Sequence, residues 1–434
     1  MMKKIFNKTA ALILACIAVL AVCLAACGYT GKNSGTTWYA SENSSSYHSS
    51  GDTSAGTNGS TGTDSEVSSG TAQDETSADT GSDLFTERDL TQTADLSEAQ
   101  TVTAVSDSTY TVSSDGVYVL SGTAENFTLI VEAGDEDKVQ LVLDGLNVTN
   151  DSSPVIYVKN ADKVFVTCAG SDSTLAVTGT FTADGTTNTD AVIFSKDDLV
   201  LNGTGTVSIS STDNGISCKD DLKVTGGAWN IQCASDALEA NDSIAVADGT
   251  VSIVSSKDGL HAENDEDDTV GSITIEGGSL DITAADDAIH ATTVLTVNGG
   301  ELTISAAEGL EATQVVINSG TVDITAKDDG INAGQKSKAL AVGITVNGGE
   351  ISIDMGAGDT DAVDSNGYLT ITGGVLDIYA QSPFDADGTV SWTGGTVYVN
   401  GSQVSTITNQ MMGGGMMGGG MQGGMQGGKK NGRT

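Results

Sequence analysis

With 434 residues, 55 of them Gly, 2 Pro and 4% aromatic, the chain lacks the rings of a broad globular core. Its 58 acids against 18 Lys and Arg give a formal charge of −40, which leaves no basic patch to displace counter-ions from phosphate, excludes a nucleic-acid partner and makes any anionic membrane or polymer depend on bridging cations. The length would allow two or three domains, but one repeat array accounts for most of it, so a single elongated domain is expected, as a monomer.

Residues 1–26 read as a lipoprotein signal peptide, with Lys3, Lys4 and Lys8 at the basic end and an apolar run from Ala10 to Val22. Leu24-Ala25-Ala26-Cys27-Gly28 resembles a lipobox, so Cys27 is the expected lipidation site and the expected place is the outer face of the cell membrane. Residues 27–95 are rich in Ser, Thr, Gly and Asp and poor in aliphatics, which predicts a disordered tether.

Apolar/polar alternation begins at Tyr110 and continues through Gly116-Val117-Tyr118-Val119-Leu120 and Val139-Gln140-Leu141-Val142-Leu143. These opening segments lack acids at regular spacing and read as scaffold and cap. Phe194-Ser195-Lys196-Asp197-Asp198-Leu199 and Ser217-Cys218-Lys219-Asp220-Asp221-Leu222 are two copies of one segment, expected to stack as charge-compensated turns. Cys218 and Cys233 fall at positions held elsewhere by Ala. With Cys168 they are read as small buried side chains and not as a disulfide framework.

From Asp190 to Ala386 one phrase recurs: Asp236-Ala237-Leu238-Glu239-Ala240, Asp258-Gly259-Leu260-His261-Ala262, Asp287-Ala288-Ile289-His290-Ala291, Glu308-Gly309-Leu310-Glu311-Ala312 and Asp329-Gly330-Ile331-Asn332-Ala333. It returns about every 22 residues, and each repeat holds three short alternating runs separated by Gly, Asn and Asp. No window offers helical spacing for the three turns a helix would need. The expected fold is all-β: a right-handed, single-stranded parallel β-helix spanning residues 96–405, with coils stacked about 4.8 Å apart. Residues 406–434, Met, Gly and Gln with a basic end, read as a flexible tail.

Stacking turns the repeated acids into vertical files. Two unit charges 4.8 Å apart repel by roughly 0.9 kcal/mol in water and about 3.5 kcal/mol at an effective dielectric of 20, so such a file calls for a counter-ion. An oxygen-only, carboxylate-rich set suits Ca2+. The competing reading is solvated turn Asp, since Asx side chains hydrogen-bond their own turns. The expected ligands include Asp213, Asp236, Glu239, Asp258, Asp287, Glu308, Asp329, Asp361 and Asp364. His261 and His290 share the outward file with Glu239 and Glu311, either as charge-balanced exposed side chains or as ligands of Zn2+ or Cu2+. Trp229 and Trp392 fall on inward positions, whereas Tyr368, Tyr379 and Tyr398 fall outward, where their rings could stack on sugar faces as carbohydrate-binding residues.

Taken together, the Gly116 to Gly122 opening, the Val139 to Asn147 strand, the Ser-Lys-Asp-Asp-Leu and Cys-Lys-Asp-Asp-Leu segments and the repeated Asp-Gly-Ile phrase with Gly-Gly turns resemble a family of bacterial carbohydrate-binding parallel β-helix proteins, pectate-lyase-like in fold. The likeness covers about residues 100–405. It implies bound calcium and binding to a plant cell-wall polysaccharide such as cellulose or polygalacturonate. The expected activity is binding without cleavage, with a calcium-dependent polysaccharide lyase and an adhesin or envelope protein without glycan preference as the alternatives. One lyase class of this fold holds calcium through Asp-Asp-x-x-Asp. Asp286-Asp287 with His290, Asp328-Asp329 with Asn332, and Asp361 with Asp364 resemble that phrase in part, which adds Asp286 and Asp328 to the expected ligands. A lyase would also need a basic residue beside the calcium, and Lys257 and Lys327, directly before Asp258 and two places before Asp329, are the candidates.

Overall fold

The computed structural model describes residues 84–356 and 361–407. The expected leader, Cys27, most of the tether and the Met/Gly tail lie outside the described residues. Within them there are 34 strands and no helix.

The strands form because Val, Ile and Leu alternate with polar residues over four to six positions, so one edge can be buried completely. Ile273, Ile275, Leu280 and Ile282 are at most 1% exposed, while Asp281 between two of them faces out. Pairing is parallel throughout, apart from a closing hairpin between Thr396–Val399 and Ser402–Gln403. Every strand pairs with its counterpart one coil on, which yields three stacked faces. One passes through Asp198–Gly203, Asp221–Val224, Ser243–Val246 and Ser272–Ile275. A second passes through Asn214–Cys218, Leu238–Ala240, Leu260–Ala262 and the start of Asp287–Val297. The third passes through Thr206–Ser210, Ala228–Cys233, Thr250–Ser255 and Ser279–Thr283. This is a parallel β-helix, and its second face carries the acids.

One corner explains the Gly-Gly pairs. Gly278, Gly300, Gly320, Gly349 and Gly374 stack there with φ between +80° and +97°. A Cβ on Gly300 would sit 3.0 Å from the Gly278 carbonyl oxygen, so both the dihedral and the approach of the coils require glycine. Beside it runs an amide ladder, in which Asn318 Nδ2 donates to Asn298 Oδ1 at 2.7 Å and Asn347 Nδ2 to Asn318 Oδ1 at 2.8 Å.

Trp229 is buried as its register requires, and its indole N–H donates to the Gly226 carbonyl at 2.9 Å. Trp392 packs against the core but stays half-buried on the last coils. Cys168, Cys218 and Cys233 are buried free thiols, and burial pushes all three up, Cys233 to about 12.

Residues 84–95 differ from the expected tether. They lie against the first face, where Asp89 is fully buried, with its carboxylate oxygens 3.7 Å from Lys163 Nζ and 3.5 Å from Lys223 Nζ. Burial opposes its charge, but the Thr86 amide and the two lysines outweigh that and hold the carboxyl below the usual range. Gln92 adds two bonds, donating to the Thr225 carbonyl at 2.8 Å and accepting from the Gly203 amide at 2.9 Å. Without apolar alternation this segment has the composition of a linker. Its order comes from polar side chains that satisfy groups on the solenoid wall.

Candidate functional site

The second face carries two parallel files of side chains, three residues apart in each coil. The inner file runs Asn214, Asp236, Asp258, Asp287, Glu308, Asp329, Asp361 and Ser382, and the outer file runs Ser217, Glu239, His261, His290, Glu311, Asn332, Asp364 and Asp385. Of the expected ligands, Asp236, Asp258, Asp287, Glu308, Asp329 and Asp361 stand in the first and Glu239 and Asp364 in the second.

Asp213 does not join them. Pairing is set by the inward aliphatics, Ile216 opposite Leu238, and Asp213 lies three places before Ile216 whereas Asp236 lies two before Leu238. Asn214 therefore takes the level assigned to Asp213. It opens the inner file, accepting from the Asp236 amide at 3.0 Å and donating to Glu239 Oε2 at 2.8 Å. Asp286 and Asp328 stand beside the inner file on the turns and are exposed.

The inner carboxylates serve the fold first. Asp236 Oδ1 accepts from the Asp258 amide and Asp258 Oδ1 from the Asp287 amide, both at 3.0 Å, so one oxygen of each ties successive coils together. The second oxygen is left to face the groove between the files.

In the lower coils protein cations meet these oxygens. Lys257 Nζ lies 2.9 Å from Asp236 Oδ2, and His261 Nδ1 2.9 Å from Asp258 Oδ2. His290 Nδ1 lies 2.9 Å from Asp287 Oδ2 and 2.8 Å from Glu311 Oε2, Lys336 Nζ 2.6 Å from Glu311 Oε1, and Lys219 Nζ 3.0 Å from Glu239 Oε1. Burial disfavours charge on both histidines, yet Asp236 and Asp258 raise His261 to about 10, and Asp287 and Glu311 raise His290 to about 9. Burial likewise opposes the Asp236 charge, but His261 and Lys257 hold it down to about 2. Burial opposes the Glu311 charge as well, but His290 and Lys336 outweigh it and hold that carboxyl below the usual range, while burial and the Glu311 charge push Asp287 up.

The upper coils have the same two files and no such partners. Among the described residues, no Lys, Arg or His pairs with Asp329, Asp361, Asp364 or Asp385; Asp361 accepts from the Ser382 hydroxyl. Burial, then Asp364, Asp328 and Asp361, pushes Asp329 up to about 7. Burial, then Asp361, Asp385 and Asp387, pushes Asp364 up to about 6. Glu308, at the boundary, rises to about 7 through burial and its acidic neighbours. Asn332 donates through Nδ2 to Glu308 Oε2 at 2.8 Å and to Glu311 Oε1 at 3.3 Å, yet its buried Oδ1 has no hydrogen-bond partner, and neither has Asp385 Oδ1. An all-oxygen donor set with unpartnered carbonyl and carboxylate oxygens fits a hard cation. A three-carboxylate group, Asp287, Glu308 and Glu311, adjoins it with ligand atoms within 4.8 Å of one another.

These features accompany a sequence match. The sequence model of a family described as carbohydrate-binding domain-containing proteins covers residues 106–362, more than half of the chain. The chain belongs to that family. A carbohydrate-binding domain-containing protein of Acetivibrio thermocellus is 39% identical over 111 residues, which is 25% of this chain and 39% of that relative, so the likeness spans well under half of the relative's length. A solved structure described as a polysaccharide lyase-like protein from C. thermocellum, as a gadolinium derivative, is 22% identical with a TM-score of 0.39, covering 69% of this chain and 94% of that one. The family span ends inside the upper coils, including Asp361 but neither Asp364 nor Asp385.

The three tyrosines do not form one carbohydrate-binding platform. Tyr368 lies on the first face, its ring over Gly343, where a Cβ would come within 2.4 Å of it. Tyr398 and Tyr379 lie on the third face, Tyr398 opposite Asp377 and Tyr379 two residues along the same strand. That face carries a file of short polar side chains, Asn230, Ser252, Asp281 and Thr303, beside the exposed Val254 and Val375. The repeated Lys-Asp-Asp segments stack as read, with Asp198 over Asp221. Lys163 meets Asp198 at 3.2 Å, while burial and Asp198 and Asp221 push Asp220 up to about 6.

Proposed function

We propose that this carbohydrate-binding chain is a non-catalytic surface module in which Ca2+ occupies the upper acid files and joins them to the carboxylates of an acidic polysaccharide of the polygalacturonate class. The observation that carries this is the set Asp329, Asp361, Asp364 and Asp385, acids stacked on successive coils with no Lys, Arg or His paired to them among the described residues, beside the unpartnered oxygen of Asn332. Asp329, Asp361, Asp364 and Asn332 Oδ1 would hold the ion, with Asp328 and Glu308 at the rim. Bound there, Ca2+ supplies the positive charge that a chain of net charge −40 lacks for an anionic ligand. Neutral chains of the cellulose class are assigned to the third face, whose hydroxyl array and exposed Tyr379 offer hydrogen bonds and one stacking ring. A lipid anchor at Cys27 would hold the module on the outside of the cell.

For one of the two candidate bases, Lys257 of the lower coils, the non-catalytic reading has direct support. A proton-abstracting lysine must be poised to lose its charge, whereas Asp236, at 2.9 Å, raises this one and keeps it protonated.

The test is retention on insoluble polygalacturonate and on cellulose, in calcium and in chelator, with ultraviolet absorbance of unsaturated products followed in the same tubes. Calcium-dependent retention on polygalacturonate, lost in Asp329→Asn/Asp361→Asn, without new absorbance, is the expected result. Absorbance that grows with calcium would make the chain a lyase, and equal retention in chelator would remove calcium from the account.

A further inference from the structure

The lower half of the groove carries nitrogen ligands that the calcium reading does not use. We propose that His261, His290 and Glu263 bind a divalent transition-metal ion of the Zn2+ class, separate from the calcium of the upper coils. One ligand atom from each of the three lies within 4.8 Å of the other two, and the imidazole rings stand 4.8 Å apart at a 40° tilt.

Both rings are oriented in the same way. Each turns Nδ1 toward the carboxylate three residues earlier in its own coil, His261 to Asp258 and His290 to Asp287, at 2.9 Å in both cases. A carboxylate behind a histidine fixes the ring and directs Nε2 outward as the ligand, the arrangement metal-binding histidines commonly have. His261 Nε2 already lies 3.0 Å from Glu263 Oε2. Metal bonds of about 2.1 Å put tetrahedral ligand atoms roughly 3.4 Å apart, so an ion would displace the protons from the two outward imidazole nitrogens and spread the His261–Glu263 pair slightly, with His290 already within 4.8 Å of both.

Glu263 comes from an insertion. Asp258 and its counterpart Asp287 are 29 residues apart, where Asp236 and Asp258 are 22 apart, and the added residues leave the second face directly after Ala262. Asn264 and Asp265 among them wall a cleft of about 830 Å³ that is lined also by Lys219, Glu239, Lys257 and His261, which leaves room for water or a ligand group on the His261–Glu263 side of an ion. Two imidazoles and one carboxylate favour Zn2+ or Cu2+ over Ca2+, which takes oxygen ligands.

Calorimetric titration of the metal-stripped full chain with Zn2+, in excess Ca2+ so that the upper files are filled, tests the assignment. One Zn2+ per chain is expected. Glu263 is exposed, so Glu263→Gln should leave the melting curve in chelator unchanged while weakening Zn2+ by at least about tenfold. Paramagnetic resonance of the Cu2+-loaded chain should show coupling to two imidazole nitrogens, lost in His261→Gln/His290→Gln. Displacement of Zn2+ by Ca2+, unchanged affinity in Glu263→Gln, or a Cu2+ spectrum without nitrogen coupling overturns the site. Calcium-dependent glycan retention of Glu263→Gln reports on the calcium reading independently.

Discussion

Lower and upper coils of the same solenoid solve one electrostatic problem in two ways. From Asp236 to Glu311 the stacked acids are met by Lys219, Lys257, His261, His290 and Lys336, so that half is internally neutralised. From Asp329 to Asp385 the backbone repeats but, among the described residues, no cation pairs with the files, and burial with the neighbouring acids pushes Asp329 up to about 7 and Asp364 to about 6. A repeat fold dictates where side chains stack and leaves the charge of each level to the sequence. An acid file is therefore not in itself a calcium site; what matters is whether the chain has already supplied the counter-charge.

The largest effect should come from breaking the lower arrangement. His290 sits between Asp287 and Glu311, whose side chains are 10% and 8% exposed, and removing it leaves two carboxylates facing each other in a dry groove. His290→Ala should cost about 3 kcal/mol in denaturant unfolding, and calcium should not restore it in full, because Lys336 still occupies Glu311. A loss below about 1 kcal/mol would mean that water neutralises the lower half and the contrast between halves is false.

The pH dependence sharpens the comparison further. Asp236 is lowered to about 2 and His261 raised to about 10, so their stabilisation is fully present between the ordinary carboxylate and histidine values, lost as pH falls through about 2 or rises through about 10. In the upper half Asp329 is raised to about 7 and Asp364 to about 6, and Glu308 at the boundary to about 7, so the folded chain binds more protons than the unfolded one and stability falls as pH rises toward 7. In chelator, unfolding free energy should decline between about pH 5 and 6.5, a window in which Asp236 and His261 contribute a constant amount and Asp287, also raised to about 6, adds a smaller part of the decline. Asp329→Asn/Asp364→Asn should flatten that decline, and calcium should reverse it in the unsubstituted chain only. A slope identical in both chains would show that the upper acids are solvated turns.

The fold was legible because alternation and period are properties of consecutive residues, and the outer file of Glu239, His261, His290 and Glu311 followed directly from the period. Asp213 falls outside the file because Asn214 stands between it and the small Gly215, so with Ile216 opposite Leu238 the acid sits one place too early to face Asp236. Glu263 and Lys336 could not be found from spacing, since both lie on segments that interrupt the repeat and reach the files through space. The docked segment around Asp89 was hidden for the opposite reason: its polar composition is that of a linker, and its partners Lys163 and Lys223 are distant in the chain. The tyrosines were placed outward correctly, but outward has three directions in a three-faced coil.

The smallest expected effect uses two lysines that look alike in the text. Lys257 and Lys327 each follow a strand of the third face and precede a ladder acid, in Lys-Asp-Gly and Lys-Asp-Asp-Gly. Lys257 is ion-paired with Asp236, whose side chain is 6% exposed, whereas Lys327 is exposed and makes no ion pair among the described residues. Lys257→Ala should therefore destabilise by about 1 to 2 kcal/mol, less than loss of a fully buried partner because the lysine itself is 46% exposed and His261 stays near Asp236. Lys327→Ala should stay within about 0.5 kcal/mol in chelator. It should also leave calcium affinity unchanged or slightly tighter, since it removes a positive charge from beside the upper acids. If Lys327→Ala cost as much as Lys257→Ala, the upper coils would already hold a counter-charge of their own, and the reason for assigning calcium to them would be gone.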